Sequence, residues 1–318
     1  MSRINRYQEG ILKFIKTKSF INKTSSRTKN ILYELLELSD HIPAILCLTI
    51  LNNLCKKSDV KIHGYYLATG IDIMTLMAKV CNNREYFEDK YGINSIDNMI
   101  VEVNGWFFSC IASNIETLRL GKNGNINHNI SHLCIEYATK YLYLITQKNT
   151  YVSNDKMKKT DLFCMDIINK YMNNYKQKNI LTKEILMNDI ELRYGSVCKL
   201  SLCLAWIIGQ GDTKQLKELE NLGNFIGMFL KIYDDFRYLE RDLLNGKQSL
   251  NYVINYGIKE AYIELIESKT SFIEGTLKLG INTKTSKEII DMIVRDIDNI
   301  VKDVSVDLET QYDEISSI

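Results

Sequence analysis

Residues 229–242 of the chain read FLKIYDDFRYLERD and place two adjacent carboxylates, Asp234 and Asp235, in a segment with the apolar spacing of a helix. Two unpaired carboxylates on a core helix are costly unless a cation compensates them. One interpretation is a magnesium site, because Mg²⁺ prefers oxygen ligands and commonly takes one or two carboxylates. The alternative is an exposed helix face on which Lys231 or Arg237 pairs with the acids. The rest of the chain bears on this choice.

The composition predicts an all-α protein. The chain has 318 residues, 45% hydrophobic and 25% charged, with a single proline, Pro43. No stretch of more than a few residues alternates with period two, so the sequence predicts no sheet. We expect one domain over residues 1–318, a large bundle of ten to twelve helices around a central apolar cavity. A polar run at 22–30 suggests that residues 1–30 include a mobile N-terminal arm.

Charge and hydropathy narrow the function classes. The net charge of +1 gives no footprint for nucleic acid. No run of 18 or more apolar residues is present, so we expect no transmembrane segment. The polar beginning does not read as a secretory signal, and the eight cysteines contain no Cys-x-x-Cys pair. These features predict buried free thiols and a cytoplasmic protein.

Apolar periodicity predicts a series of long helices. Those at 44–56 and 61–82 are apolar on most sides, as are helices that pack at the centre of a bundle or line a long apolar pocket. The other predicted helices have the bounds 95–120, 127–147, 157–178, 183–209, 214–244, 258–278 and 284–304.

The second half of the chain carries a resemblance to a known family. It reads RYGS at 193–196, LAWIIG at 204–209, LKIYDDFRY at 230–238 and GK at 246–247. This order and spacing resemble the C-terminal half of the trans-isoprenyl diphosphate synthases (the polyprenyl synthetase family). The motifs lie within about residues 182–255, and the resemblance in helix order extends over most of the chain.

The resemblance implies an activity and a set of site residues. In that family two aspartate-rich helices face each other across a cavity and hold Mg²⁺ ions, which draw pyrophosphate from an allylic diphosphate such as geranyl or farnesyl diphosphate. If this chain is active, Asp234 and Asp235 would bind the metal. The residues that would contact the diphosphate are Arg193, Lys231, Tyr238 and Lys247. Family members are commonly dimeric, which implies a homodimer or a heterodimer with a motif-complete prenyl synthase.

The carboxylate helix departs from the family pattern at two positions. Tyr238 replaces the third aspartate of the motif, and Lys231 replaces its glutamine. Asp242 is two turns further on, about 12 Å along a continuous helix, and cannot replace the lost aspartate. Lys231 is four residues before Asp235, so its ammonium group could pair with that carboxylate and do part of a metal's work.

The first half of the chain departs further. Only Asp72 is acidic where the first aspartate-rich motif should lie, and it falls a few residues early. The positions of the family's aspartates are held by Thr75, Leu76 and Lys79. The basic element that binds isopentenyl diphosphate in the family is also absent, since residues 38–43 read LSDHIP. Asp72 is interpreted as a capped or paired helix residue rather than a ligand.

Three hypotheses follow. The first is a catalytically impaired or non-catalytic member of the fold: a regulatory or small subunit of a heteromeric synthase, or a repurposed structural homologue. The second is an active Mg²⁺-dependent prenyltransferase that uses an allylic diphosphate. The third is an unrelated all-α interaction protein. The aromatic run at 106–108 lies either in a dimer-forming region like that of the family or in the internal core.

Overall fold

The computed structural model describes residues 2–17, 24–37, 39–58, 60–82, 84–120, 129–146, 182–244 and 250–316. The predicted helix at 157–178 and Lys247 lie outside these residues. The helices, in chain order, are α1 Arg3–Thr17, α2 Ser26–Glu37, α3 Ile42–Ser58, α4 Tyr65–Asn82, α5 Arg84–Tyr91, α6 Ile93–Glu116, α7 Ile130–Thr146, α8 Lys183–Ile190, α9 Ser196–Ile208, α10 Leu216–Arg237, α11 Leu239–Leu244, α12 Tyr252–Lys278 and α13 Lys284–Ser316.

Helix α9 is the centre of the bundle. Every one of its 13 residues is buried, because the segment is apolar nearly all round and is covered by α3, α4, α7 and α10. Helix α10, which carries the two carboxylates, packs between α9 and α12. The all-α prediction is therefore confirmed, and the carboxylate helix lies against the most buried element of the described chain.

A π-helical turn, Glu191–Gly195, joins α8 to α9 where the sequence predicts one continuous helix over 183–209. Helix α10 approaches this turn closely because both elements present a glycine. A Cβ atom on Gly227 would lie 2.6 Å from the backbone nitrogen of Gly195. The close approach of the two backbones brings Tyr194 against α10, which shapes the site described below.

The N-terminal segment differs from the predicted mobile arm. Residues 3–17 form α1, and Ile4, Ile11 and Ile15 on one face of this helix are buried in the core. Residues 26–30, assigned to a polar loop, form the first turn of α2. The spacing of the three isoleucines is that of an amphipathic helix, and burial of this apolar face explains why the segment packs.

Two further features complete the fold. Val60–Lys61 and Arg119–Leu120 pair antiparallel over two residues each, too few to form a layer. Phe107 is fully buried and Trp106 nearly so, which places this part of the aromatic run in the internal core. None of the described helices is long and apolar enough to cross a lipid bilayer.

Candidate functional site

The adjacent carboxylates of α10 lie in different environments. Asp234 is partly exposed, lines a cavity, and accepts a 2.9 Å hydrogen bond at Oδ2 from the phenol of Tyr194. Asp235 is only 2% exposed and faces the interior. Consecutive residues of a helix are rotated by about 100°. The pair therefore cannot act as two ligands aimed into one cavity.

The oxygens of Asp235 are bound by groups of the chain itself. Lys231 Nζ donates a hydrogen bond to Oδ1, and the backbone N–H of Tyr252 donates to Oδ2 at 2.8 Å. The Lys231 ammonium group also donates to the carbonyl of Leu250 at 2.8 Å. The pairing of Lys231 with Asp235 predicted from the four-residue spacing is confirmed. Asp235 thus fastens the start of α12 to α10.

The interior position of Asp235 alters its titration. Burial raises the pKa of Asp235 to about 6, because loss of solvent outweighs the attraction of Lys231 and the hydrogen bond from Tyr252. Burial, and then the charge of Asp234, raises the pKa of Tyr194 well above its ordinary value. Tyr194 therefore remains a neutral donor to Asp234.

Asp242 does not occupy the position expected from one continuous helix. Helix α10 ends at Arg237, so the chain turns at Tyr238 and Asp242 does not lie two turns further along the same axis. The Nδ2 group of Asn251 donates 3.1 Å hydrogen bonds to both Asp242 Oδ2 and the backbone carbonyl of Asp235. Asp242 therefore belongs to the buried junction around Asp235, which the interrupted helix brings together.

The wall opposite α10 is formed by α4 and the segment before α3. Asp72 is buried, and its Oδ2 lies 2.6 Å from Nδ1 of His41, which is also buried. His41 holds a left-handed backbone conformation, with φ 56°, which directs its ring to the aspartate. The interpretation of Asp72 as a paired residue is confirmed. Helix α4 presents Thr75 and Lys79 to the cavity, and the segment before α3 presents the carboxylate of Asp40.

The cavity between these walls is small. Its volume is about 60 Å³, and it is lined by residues 39–43, by α4, by the π-helical turn and by α10. Pockets that hold drug-sized organic ligands have volumes of about 300–1,000 Å³. The cavity therefore lies between two helices, where a ligand site would be expected, but it has room for only a few water molecules.

The other predicted site residues are dispersed. Arg193 lines the cavity, but its Nε donates to Asp189 Oδ1 at 2.8 Å and its Nη1 donates to Asn82. Tyr238 caps the end of α10, and the guanidinium carbon of Arg241 lies 3.9 Å from the centre of its ring. Arg193 is thus held by the chain's own acids and amides, and Tyr238 does not line the cavity.

The described residues do not fit a magnesium centre. Among them, no three His, Cys, Asp or Glu side chains are grouped closely enough to hold a metal ion. Asp234 is the carboxylate that lines the cavity from α10, while Asp235 and Asp72 are both engaged in buried pairs. The other carboxylate that lines the cavity, Asp40, accepts a 2.7 Å hydrogen bond from Arg237. A site in which one of two carboxylates is already paired lacks the negative charge that would bind several divalent cations.

The fold of this chain is similar to those of solved prenyl synthase structures. The chain is similar to a geranyltranstransferase from Thermotoga maritima, with a TM-score of 0.60 and 13% identity over 94% of this chain and 100% of that one. It is also similar to an isoprenoid synthase family member from Thermotoga neapolitana, with a TM-score of 0.53 and 12% identity over 93% of this chain and 98% of that one. The chain has the isoprenoid synthase fold.

A third similar structure is geranylgeranyl pyrophosphate synthetase from Pyrococcus horikoshii, with a TM-score of 0.50 and 16% identity over 96% of this chain and 91% of that one. No protein-family model matches the sequence, and no curated protein matches it. Because the sequence identities are 16% or lower, the similarity shows the fold alone. The resemblance in helix order predicted from the sequence is confirmed as a resemblance of fold.

Three residues of the site were not identified from the sequence. Tyr194 binds Asp234, His41 binds Asp72, and the backbone of Tyr252 binds Asp235. Each of these contacts joins residues that are 17 or more positions apart, so no local sequence pattern predicts them. The sequence signal closest to one of them is the segment DHIP at 40–43, where a histidine precedes the only proline.

Proposed function

We propose that this chain is a non-catalytic homologue of the isoprenoid synthases, which serves as a regulatory or structural subunit rather than as a prenyltransferase. The observation that carries the proposal is the engagement of Asp235. Its carboxylate is bound by Lys231 and by the backbone of Tyr252, in a place from which it cannot reach the cavity. The ammonium group of Lys231 thus balances the negative charge of Asp235. In an active member of the family that this chain resembles, a metal ion would do so.

The opposite wall supports the same conclusion. A diphosphate carries several negative charges, and its departure requires cations held beside it. Helix α4 offers Thr75 and Lys79 to the cavity, while Asp72 is withdrawn into its pair with His41. With a volume of about 60 Å³, the cavity also has no room for a ten-carbon or longer chain.

The surface of α6 and α7 supports a role in assembly. Val101 on α6 is 72% exposed, and Ile135 and Tyr143 on α7 are 54% and 68% exposed. The two helices pack on each other, so these side chains belong to neighbouring elements. We propose that this face binds a second subunit of the same fold, either another copy or a motif-complete prenyl synthase.

Calorimetry tests whether the chain binds an allylic diphosphate in the Mg²⁺-dependent way that catalysis would require. Geranyl diphosphate is titrated into the full chain with and without MgCl₂, and we expect no binding that depends on Mg²⁺. Mg²⁺-dependent binding that disappears in Asp234→Ala would overturn the proposal. The variant is suited to this purpose because Asp234 is partly exposed and its removal leaves the buried Asp235 junction intact.

Light scattering after size exclusion tests the assembly face. We expect the chain, alone or mixed with a motif-complete synthase of the same source, to form a dimer that Val101→Asp and Tyr143→Asp dissociate. The matched control is Ile263→Asp on α12, where the side chain is 42% exposed on another helix. A dimer that resists both substitutions, or that Ile263→Asp dissociates equally, contradicts the assigned face.

The alternative function is an active Mg²⁺-dependent prenyltransferase. It is favoured by one observation, that Asp234 and Arg193 still line the same cavity between α4 and α10. In this alternative the cavity must widen and Arg193 must exchange Asp189 for the diphosphate. Product formation from an allylic diphosphate by the purified chain would decide for it.

A further inference from the structure

A second and larger cleft lies at the other end of α3. Ile42 lines the cavity beside Asp234, whereas Asn53 lines this cleft, and eleven residues of helix separate them by about 16 Å. The cleft has a volume of about 650 Å³ and lies between α1, α3, the first residue of α4 and the beginning of α13. It is therefore separate from the site of the carboxylate helix.

The cleft is positively charged. Arg3, Arg6, Lys56 and Lys284 line it, and among the described residues no carboxylate does. In the part of the chain that the structure describes, none of these four side chains makes an ion pair or a hydrogen bond. Glu288 approaches this region, but its carboxylate accepts a hydrogen bond from the backbone N–H of Arg3. Four basic side chains thus face one space without an internal counter-ion.

The first turn of α13 adds backbone donors. Thr283 and Ser286 cap one another, since each backbone N–H donates to the hydroxyl of the other residue at 3.0 Å. The N–H groups of Lys284 and Thr285 have no acceptor within the described residues. The N-terminal end of a helix attracts anions because these donors and the helix dipole point the same way.

Thr285 is a separate observation that favours an anion in this cleft. It is only 5% exposed, yet it lines the cleft. Its hydroxyl makes no hydrogen bond to any other described residue. Although the residue is buried, its hydroxyl group opens on the cationic cleft and is placed to donate a hydrogen bond to an anion there.

We propose that this basic cleft binds the phosphate or diphosphate group of a small organic anion. Guanidinium groups and helix N-terminal N–H groups suit tetrahedral oxyanions. Tyr7 and Tyr65 provide flat walls for an organic part of the ligand. None of the strongly exposed large hydrophobic side chains in the described part of the chain lines the cleft, which favours a dissolved ligand over a lipid headgroup. The proposal is independent of whether the Asp234 cavity is active.

Calorimetry with sodium pyrophosphate as the probe tests this site in the full chain without Mg²⁺. The test variant is Arg6→Gln with Lys284→Gln, and the control is Lys13→Gln with Lys287→Gln. Each double variant removes one exposed cation from α1 and one from α13, but only the first pair lines the cleft. We expect the test variant to weaken binding at least tenfold and the control to change it less than twofold. Circular dichroism checks that both fold.

The effect of Mg²⁺ distinguishes binding in the cleft from binding at Asp234. Binding in the cleft should weaken when MgCl₂ is added, because the metal neutralises part of the probe's charge and the cleft has no carboxylate to hold the metal. Equal affinity of the test variant and the wild type, or no binding to the wild type, would overturn the proposal. So would binding that requires Mg²⁺ and is lost in Asp234→Ala, which would also overturn the proposed function.

Two further probes address other classes of anion. A hexaglutamate peptide that binds where pyrophosphate does not would show a site for acidic protein segments and contradict the proposal. Sedimentation with vesicles containing phosphatidic acid distinguishes the source of the phosphate. Vesicle binding that pyrophosphate fails to displace would contradict a cleft for soluble ligands.

Discussion

Lys231 lies one helical turn before Asp235 and donates a hydrogen bond to its carboxylate inside the protein. Both side chains are almost completely buried, and the same ammonium group also binds the carbonyl of Leu250. Removal of one member of a buried ion pair leaves an uncompensated charge in the interior. The pair therefore makes the carboxylate helix part of the stability of the fold, whatever its ancestral role.

Replacement of Lys231 by Met should destabilise the protein strongly. The variant leaves Asp235 buried without its cation, and we expect the free energy of unfolding to fall by about 3–5 kcal/mol. Urea denaturation measures this change. Lys217→Met, on the exposed face of the same helix, is the control and should cost about 0.5 kcal/mol, because surface ion pairs contribute little.

A double variant separates the charge from the packing. Lys231→Met combined with Asp235→Asn removes both charges but keeps an oxygen that can accept from the N–H of Tyr252. We expect this variant to be more stable than Lys231→Met alone. Additive losses in the two single variants would show that the pair is not coupled and would contradict this role.

Stability should also depend on the ionisation of Asp235. Its pKa is raised from an ordinary value of 3.8 to about 6, so between these values the folded state holds a proton that the unfolded state has lost. Stability from this group therefore falls as pH rises from about 4 to about 6. A pKa shift of this size corresponds to a change of about 3 kcal/mol in the free energy of unfolding.

The comparison with Asp235→Asn isolates this effect, because asparagine does not titrate. We expect the stability of the wild type relative to Asp235→Asn to fall by up to about 3 kcal/mol as the pH is raised from 4 to 7. Urea denaturation at several pH values measures the difference. A relative stability that instead rises with pH would mean that the pKa of Asp235 is lowered in the folded protein.

Gly227 should be intolerant of a side chain. A Cβ atom there would lie 2.6 Å from the nitrogen and 2.7 Å from the Cα of Gly195, and backbone atoms cannot move aside as a side chain can. We expect Gly227→Ala to destabilise the protein by about 1–3 kcal/mol or more. The shift of the π-helical turn should also separate Tyr194 from Asp234.

Gly105 provides the matched control on helix α6. A Cβ atom at this exposed position meets nothing within 4 Å. Gly105→Ala should therefore stabilise the protein by about 0.5–1 kcal/mol, because alanine is the better helix former. Thermal unfolding of the two variants checks both signs, and equal effects would contradict the close contact between α10 and the π-helical turn.

Local patterns were sufficient to predict much of the fold. The segments at 44–56 and 61–82, which are apolar on most sides, predicted buried helices, and the four-residue spacing predicted the pairing of Lys231 with Asp235. Both depend on the period of the α-helix, which a single segment of sequence displays. The burial of Ile4, Ile11 and Ile15 has the same origin, although the neighbouring polar run led to the prediction of an arm.

The site depended on contacts that no single segment displays. The π-helical turn at 191–195 and the left-handed backbone of His41 are set by packing between distant elements. The end of α10 at Arg237 was also missed, since Tyr238 is a tolerable helix residue, and this end is what brings Asp242 to Asn251. Asp234 and Asp235 also differ in burial, because α12 covers the face of α10 that carries Asp235.

Whether the chain is catalytic is decided by the release of pyrophosphate from geranyl or farnesyl diphosphate, with isopentenyl diphosphate and Mg²⁺ present. The purified chain is compared with Asp234→Ala, which lacks the carboxylate that α10 presents to the cavity. We expect the two proteins to release pyrophosphate at the same background rate. Mg²⁺-dependent release by the wild type that Asp234→Ala abolishes would show a working catalytic site and contradict it.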